Sequence, residues 1–302
     1  MTRPESSKSG EAGADLAALY AEPFRLHRPF RHTVPFVFAS PHSGRCYPAS
    51  FIAQSRLSAT NLRRSEDAFV DELFCGAVAL GAPMIAARFP RAFLDANRAP
   101  SEIDSAMFEG ALPVAVDTPS PRVAAGLGVI PRIVRDGAEI YRAKLPPRDA
   151  EEWLARLYRP YHAALAQLVE ETKARFGVAV VIDCHSMPSA AAIPDVVLGD
   201  RYGMAAAPVV TRAAELAFGA QGFSHARNAP YAGGYTTHLH GRRDRDVHAL
   251  QVEVNRALYL DEERIAKGPH FEPVHARLTE ALTRLVALDP AQIAPRLNLA
   301  AE

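Results

Sequence analysis

The chain has 302 residues, and its 34 lysines and arginines balance its 34 aspartates and glutamates. This neutrality argues against a nucleic-acid binder, no run approaches the length of a membrane-spanning helix, and a chain of this size buries enough surface to fold without disulfide staples. Three cysteines without paired spacing (Cys46, Cys75, Cys184) and a polar N-terminus lacking the apolar core of a signal peptide lead us to expect a cytoplasmic protein.

In chain order, residues 1–18 read as a disordered lead and 19–302 as a single domain. Pro35–Ser40 is a continuous apolar run, as in strands buried on both faces, and it stops at Pro41-His42-Ser43-Gly44. A helix is predicted over Ser65–Gly81, with Ser65 as N-cap and Phe69, Val70, Leu73, Phe74 and Ala77 on one side. Pro83–Ala87 is a short strand. From Ala99 to about Pro147 the chain is rich in Pro and Gly and weakly periodic, as expected of a functional insertion. Asp149–Phe176 is the longest helical pattern, which Pro160 should kink or split and Gly177 should end. Val178–Ile182 is a strand running into Asp183-Cys184-His185-Ser186. A helix at Ala205–Phe218, an alternating strand at Ala249–Val254 and a closing helix at Pro273–Leu288 complete the pattern. Strands alternating with helices predict an α/β protein, with a mixed, largely parallel sheet between two helix layers.

In such sheets reactive side chains gather at the carboxyl ends of strands. His42, His185 and Glu253 fall there, and two histidines with a carboxylate are a common zinc set. A structural hydrogen-bonding role is the alternative for each histidine. No Gly-x-Ser-x-Gly elbow and no Gly-x-Gly-x-x-Gly turn is present, which argues against a serine hydrolase and a dinucleotide enzyme. The segment Arg88–Arg98 carries three arginines with Asp95 and Asn97, and reads either as a solvated face or as a carboxylate clamp. His162 and Tyr161 read as packing residues and Cys184 as a buried thiol. His248 is either a structural hydrogen-bonding residue or the group that orients Glu253.

Together, Pro41-His42-Ser-Gly44, Ser65-Glu66-Asp67, Asp95-Ala-Asn97-Arg98, Asp183-Cys-His185-Ser186, Gly233-Gly-Tyr235-Thr236 and His248–Glu253 occur in an order that resembles the N-formylglutamate amidohydrolase family. That family is distantly similar to the zinc metallocarboxypeptidases, and the resemblance spans roughly residues 35–265. It implies a zinc exopeptidase-like α/β/α fold and hydrolysis of N-formyl-L-glutamate or a related acidic N-acyl amino acid, a small-molecule substrate. His42 and His185 would be zinc ligands. Arg45 stands where carboxypeptidases carry a glutamate ligand, so the third ligand is expected to be Asp67, with Glu66 as the alternative. Asn97 and Arg98 would hold the substrate's α-carboxylate, Thr236 would bind substrate, Tyr235 would either hydrogen-bond substrate or simply pack, Arg91 (or Arg88) would polarise the scissile carbonyl, and Glu253 would be the general base. The stretch Tyr235–Gly241 departs from the family's pattern where side-chain selectivity would be set. A non-catalytic binder of an acidic metabolite using the same cleft is the second reading. A metal-free hydrolase using Ser43 or Ser186 is the third.

Overall fold

Strands rich in Val, Ile, Phe and Ala with no polar face need cover on both sides, and the centre of this molecule is built from such strands. The computed structural model describes residues 6–116, 120–134, 137–190 and 192–294, and of residues 6–12 only the backbone. The first half runs through α1 (Ser6–Ala21), β1 (Phe24–His27), β2 (Phe36–Ser40), α2 (Ala49–Gln54), α3 (Ala59–Arg63), α4 (Val70–Leu73), α5 (Gly76–Ala79), β3 (Met84–Ala87) and α6 (Pro121–Ala124). There follow α7 (Pro147–Trp153), α8 (Arg159–Phe176), β4 (Ala179–Met187), β5 (Val196–Gly199), α9 (Pro208–Ala220), β6 (His225–Arg227) and α10 (Tyr235–His240). The chain closes with β7 (Val247–Asn255), the ribbon β8 (Leu260–Asp261) and β9 (Ala266–Lys267), α11 (Phe271–Val286) and α12 (Pro290–Ile293).

The main sheet has the order β1-β3-β2-β4-β7-β5-β6. It is antiparallel at β1/β3 and β5/β7 and parallel at β3/β2, β2/β4, β4/β7 and β5/β6, so it is mixed and largely parallel, as predicted. Side-chain alternation divides the strands between two cores. Val37, Ala39, Val181 and Ala249 face a layer containing Leu19, Trp153, Tyr161 and Leu165. Phe38, Ile182, Leu250 and Val252 face the opposite layer with Leu73, Val210 and Leu282. Among the described residues no helix is long and apolar enough to cross a membrane.

Three local expectations are corrected. The lead expected to be disordered forms α1 from Ser6 onward, because Leu16, Leu19 and Tyr20, spaced for one helix face, pack on the core; residues 1–5 lie outside the described residues. The continuous helix expected over Ser65–Gly81 is broken into α4 and α5. Phe69 adopts a left-handed backbone (φ 63°), and the Asp67 amide donates to the His42 carbonyl at 3.0 Å instead of joining a helix. His185, expected just beyond a strand, lies within β4, which extends to Met187.

Pro160 lies at the start of α8, directly after a π-type turn at Leu154–Tyr158 that separates it from α7. The described residues between 99 and 147 have mostly irregular backbone, yet Ile103, Phe108, Val129, Ile130 and Ile140 are fully buried in the first core. That anchorage turns the stretch into a fixed wall beside the carboxyl ends of β2 and β4.

Candidate metal centre

Strands β4 and β7 are parallel neighbours, with Asp183 opposite Gln251 and His185 opposite Glu253. A period of two puts these four side chains on one face, continuing upward from Val181 and Ala249. That face is apolar at its base and polar at its carboxyl end. Each polar group buried there must find a partner or cost several kcal/mol, about as much as a buried Val or Leu contributes.

The partners are found close by. His42 follows β2 on a loop held close to the next segment by Gly44, where a Cβ would come within 2.1 Å of the Phe89 carbonyl oxygen. His42 Nε2 lies 2.7 Å from Asp95 Oδ1, and His185 Nε2 lies 3.0 Å from Asp183 Oδ2. Each ring is therefore backed by a carboxylate on Nε2, which leaves Nδ1 to face inward. His185 Nδ1 lies 2.9 Å from Asp67 Oδ2, and His42 Nδ1 lies 3.3 Å from the same oxygen. His42, Asp67 and His185 are all buried, and their inward atoms lie within 4.8 Å of one another. His42 Nδ1 has no hydrogen-bond partner.

Asp67 is aimed by a residue that sequence reasoning missed. Arg256, buried just past β7, donates from Nη2 to Asp67 Oδ1 at 2.8 Å and to the Glu66 carbonyl at 2.6 Å. Oδ2 is thereby turned to the histidines. Glu66 points elsewhere, accepting from Tyr47 Oη at 2.7 Å and Arg63 Nε at 3.0 Å. Burial opposes ionisation of Asp67, but His185 and His42 outweigh it and hold its pKa well below the usual value. Burial likewise opposes charge on His185, and Asp183 and Asp67 outweigh it, holding its pKa well above the usual imidazole value. The pocket thus stabilises positive charge between two carboxylates.

A cavity of about 550 Å³ opens over this cluster. Glu253, Gln251, Arg91, Asn97, Arg98 and Arg256 are among its lining residues. Glu253 is 7% exposed and accepts from Gln251 Nε2 at 2.8 Å. Burial pushes its pKa up to about 7, against the pull of His185 and Arg91 and with the help of Asp67. Arg91 Nε donates to Asp95 Oδ2 at 3.0 Å. Arg88 instead bonds Glu22 at 2.7 Å, away from the cavity. Arg98 donates to the Leu127 and Asn97 carbonyls at 3.0 and 3.2 Å.

The remaining expected substrate contacts are placed differently. Asn97 lines the cavity, but its amide is engaged at both ends, donating to Asp183 Oδ2 at 3.1 Å and accepting from Thr236 N at 2.7 Å. It braces the Asp183–His185 strand end against α10. Tyr235 and Thr236 are not among the cavity's lining residues. Thr236 is fully buried, and Tyr235 packs on the first core with its ring 5.9 Å from that of His162. The cause is Gly234, where a Cβ would lie 2.4 Å from Asn97 Nδ2; its absence lets the start of α10 dive onto Asn97.

The other readings fare as follows. His162 Nε2 lies 2.9 Å from the Ala96 carbonyl oxygen, bracing the loop from behind. His248 accepts from Ala207 N at 3.2 Å, at the end of β7 remote from Glu253, which is a structural role. Cys184 is fully buried in the second core. Ser43 accepts from Ser40 and Ser186 from Arg256, so neither hydroxyl is paired with a histidine. The missed residues carried unequal signals. Asp183 precedes His185 by two positions on one strand, a spacing that shares a face; nothing in the sequence marks Arg256.

The chain is similar to known proteins of one family. Residues 34–260 match the family model described as N-formylglutamate amidohydrolase. An N-formylglutamate deformylase of Pseudomonas aeruginosa is 30% identical over 269 residues, which cover 85% of this chain and 94% of that protein. One from Pseudomonas putida is 26% identical over 238 residues, covering 76% and 83%. The crystal structure of N-formylglutamate amidohydrolase from Ralstonia eutropha JMP134 superposes with a TM-score of 0.83 at 34% identity, covering 88% of this chain and 97% of that one.

Proposed function

The chain belongs to the N-formylglutamate amidohydrolase family, and we propose that it is a cytoplasmic, zinc-dependent hydrolase of N-formyl-L-glutamate or a closely related acidic N-acyl amino acid. The observation that carries this reading is the convergence of His42 Nδ1, His185 Nδ1 and Asp67 Oδ2 beneath a cavity that also holds Glu253. Two imidazoles and a carboxylate suit zinc, and the buried, unpartnered Nδ1 of His42 is the atom such an ion would satisfy. Asp95 and Asp183 on the two Nε2 atoms would fix the tautomers, as carboxylates behind zinc-ligating histidines commonly do. Bound there, zinc would supply a Lewis acid for the amide carbonyl.

The chain's own groups would do the rest. Arg98 would take the substrate's α-carboxylate in a paired hydrogen bond. Arg91, oriented by Asp95, would donate to the scissile carbonyl oxygen as it gains charge. Glu253, with its pKa near 7, would accept a proton from the attacking water and return it to the amine as the C–N bond breaks. Water adds across the amide, and formate and the free amino acid leave. The three unpaired cysteines suit a reducing compartment.

The test is formate release from N-formyl-L-glutamate, measured with metal content on purified protein before and after chelation. Turnover that is lost with the metal and restored by zinc is expected. A chelated, metal-free protein with full turnover would refute metal dependence. Saturable binding of N-formylglutamate by a zinc-loaded protein that releases no formate would favour the binder.

A further inference from the structure

Part of the cavity's wall is built from the segment after Arg98, and it carries a second arginine. Arg122 lies in α6, has an exposed side chain and lines the same cavity as His42, His185 and Glu253. Its position is set by the backbone around it. The Leu127 amide donates to the Arg122 carbonyl at 2.8 Å, and the Leu127 carbonyl accepts from Arg98 Nε at 3.0 Å. Glu102 ties both ends of this arrangement, accepting from Ser120 Oγ at 2.8 Å and from Ala99 N at 3.1 Å. Val129 links the wall to the site loop through Asp95 N at 2.8 Å. Arg98 and Arg122 are thus presented on one rigid wall.

The cavity's arginines are not equivalent, and Arg64, which also lines it, is not without a partner. Arg256 is paired with Asp67 and Arg91 with Asp95. Arg98 is mostly buried; burial, Arg91 and Arg122 together disfavour its charge, against the pull of Asp95. Among the described residues Arg122 forms no ion pair. Two guanidiniums on one wall, one of them without a carboxylate of the protein, call for an anion with two carboxylates. Tyr235 and Thr236, the first residues of the stretch Tyr235–Gly241 where selectivity is expected, do not line the cavity.

We propose that Arg122 is the specificity-determining residue that binds the side-chain carboxylate of the substrate while Arg98 holds its α-carboxylate. The assignment rests on the proposed function above. It makes the described stretch 120–134 a part of the substrate site, through one arginine on a short helix, and makes selection for acidic substrates separable from the hydrolytic groups beneath.

The experiment compares N-formyl-L-glutamate with N-formyl-L-glutamine, its uncharged near-isostere, on the zinc-loaded wild type, Arg122→Gln and Arg122→Lys. The wild type should favour the glutamate compound in kcat/KM. Arg122→Gln should lose about 10–100-fold of that preference, the share of a hydrogen bond to a charged group, mostly through KM. Arg122→Lys should keep part of it. Equal loss on both substrates, or a wild type without preference, would overturn the proposal while leaving the hydrolase reading intact. If neither compound is hydrolysed, that reading fails, and calorimetric binding decides the proposal. The wild type must then bind N-formylglutamate over N-formylglutamine, and Arg122→Gln must not. Thermal denaturation should show all three proteins equally folded, since the side chain is exposed.

Discussion

Replacing Glu253 by glutamine should cut turnover steeply and stabilise the metal-free protein at the same time. The carboxyl is 7% exposed at the carboxyl end of β7, and the Gln251 amide donates to it. A glutamine there has the same shape and can still accept that hydrogen bond through its own oxygen. Only the ionised form is lost. Burial holds the group at about 7 against an ordinary 4.5. Between these values the folded state binds more protons than the unfolded one, so stability falls as pH rises from 4.5 to 7 and then levels off. That gap corresponds to a cost on the order of 3–4 kcal/mol above pH 7. Glu253→Gln should recover that amount in urea unfolding of chelated protein at pH 8 and very little at pH 4.5. In the zinc-loaded enzyme, formate release should fall by about 10²–10⁴-fold, with zinc content unchanged. The acid limb of the wild-type pH profile should vanish with it. Wild-type turnover in the variant would remove Glu253 from the mechanism. A variant no more stable than the wild type at pH 8 would show that the site does not hold this carboxylate under desolvation.

For the metal, His42→Ala, His185→Ala and Asp67→Asn should each lose most bound zinc while Glu66→Gln retains it; stoichiometric zinc in both histidine variants would refute the ligand set. Arg98→Ala should cost about 2–5 kcal/mol in kcat/KM on N-formylglutamate, the range for a desolvated charge pair, and little on a substrate whose α-carboxylate is an amide. Equal losses would make Arg98 purely structural. Burial holds His240 at about 4 against 6.5, so the unfolded state binds the extra proton and stability is lost as pH falls from 6.5 to 4, by up to about 3 kcal/mol. His240→Gln should flatten that part of the pH–stability curve, and an unchanged curve would show that His240 titrates normally.

Much of the site could be read from the sequence because it rests on the simplest of periodicities. Leu250, Val252 and Val254 pack in the second core while Gln251 and Glu253 face the cavity, as the alternation of β7 requires. His42 and His185 were legible as histidines at the ends of apolar strands. Asp67 was not legible from local pattern, since its neighbours have helical spacing; its geometry is imposed by Arg256, 189 positions away. No local signal reports a contact at that separation. Tyr235 and Thr236 failed for a related reason. No local pattern shows that Gly234, just before them, serves close approach to Asn97 far away in the chain. The N-terminal lead was misread because three apolar residues, Leu16, Leu19 and Tyr20, suffice to dock a helix once a core is there to receive them.

The arrangement also explains why so many charges tolerate burial together. Each carboxylate of the cluster has a cationic or imidazole partner: Asp67 has Arg256 and His185, Asp95 has Arg91 and His42, and Asp183 has His185. A buried charge that lost its partner would be left uncompensated, at about 3–5 kcal/mol. The pairs therefore fix the orientation of both rings and the Asp67 rotamer before any ligand arrives, a preorganisation that a metal site requires of its surroundings. Glu253 is the exception. The sheet register sets it opposite His185, Gln251 is the donor it holds, and its carboxylate is the one in the cluster pushed upward in pKa. A group kept short of charge compensation, beside others that are each paired, is the one free to exchange a proton at neutral pH.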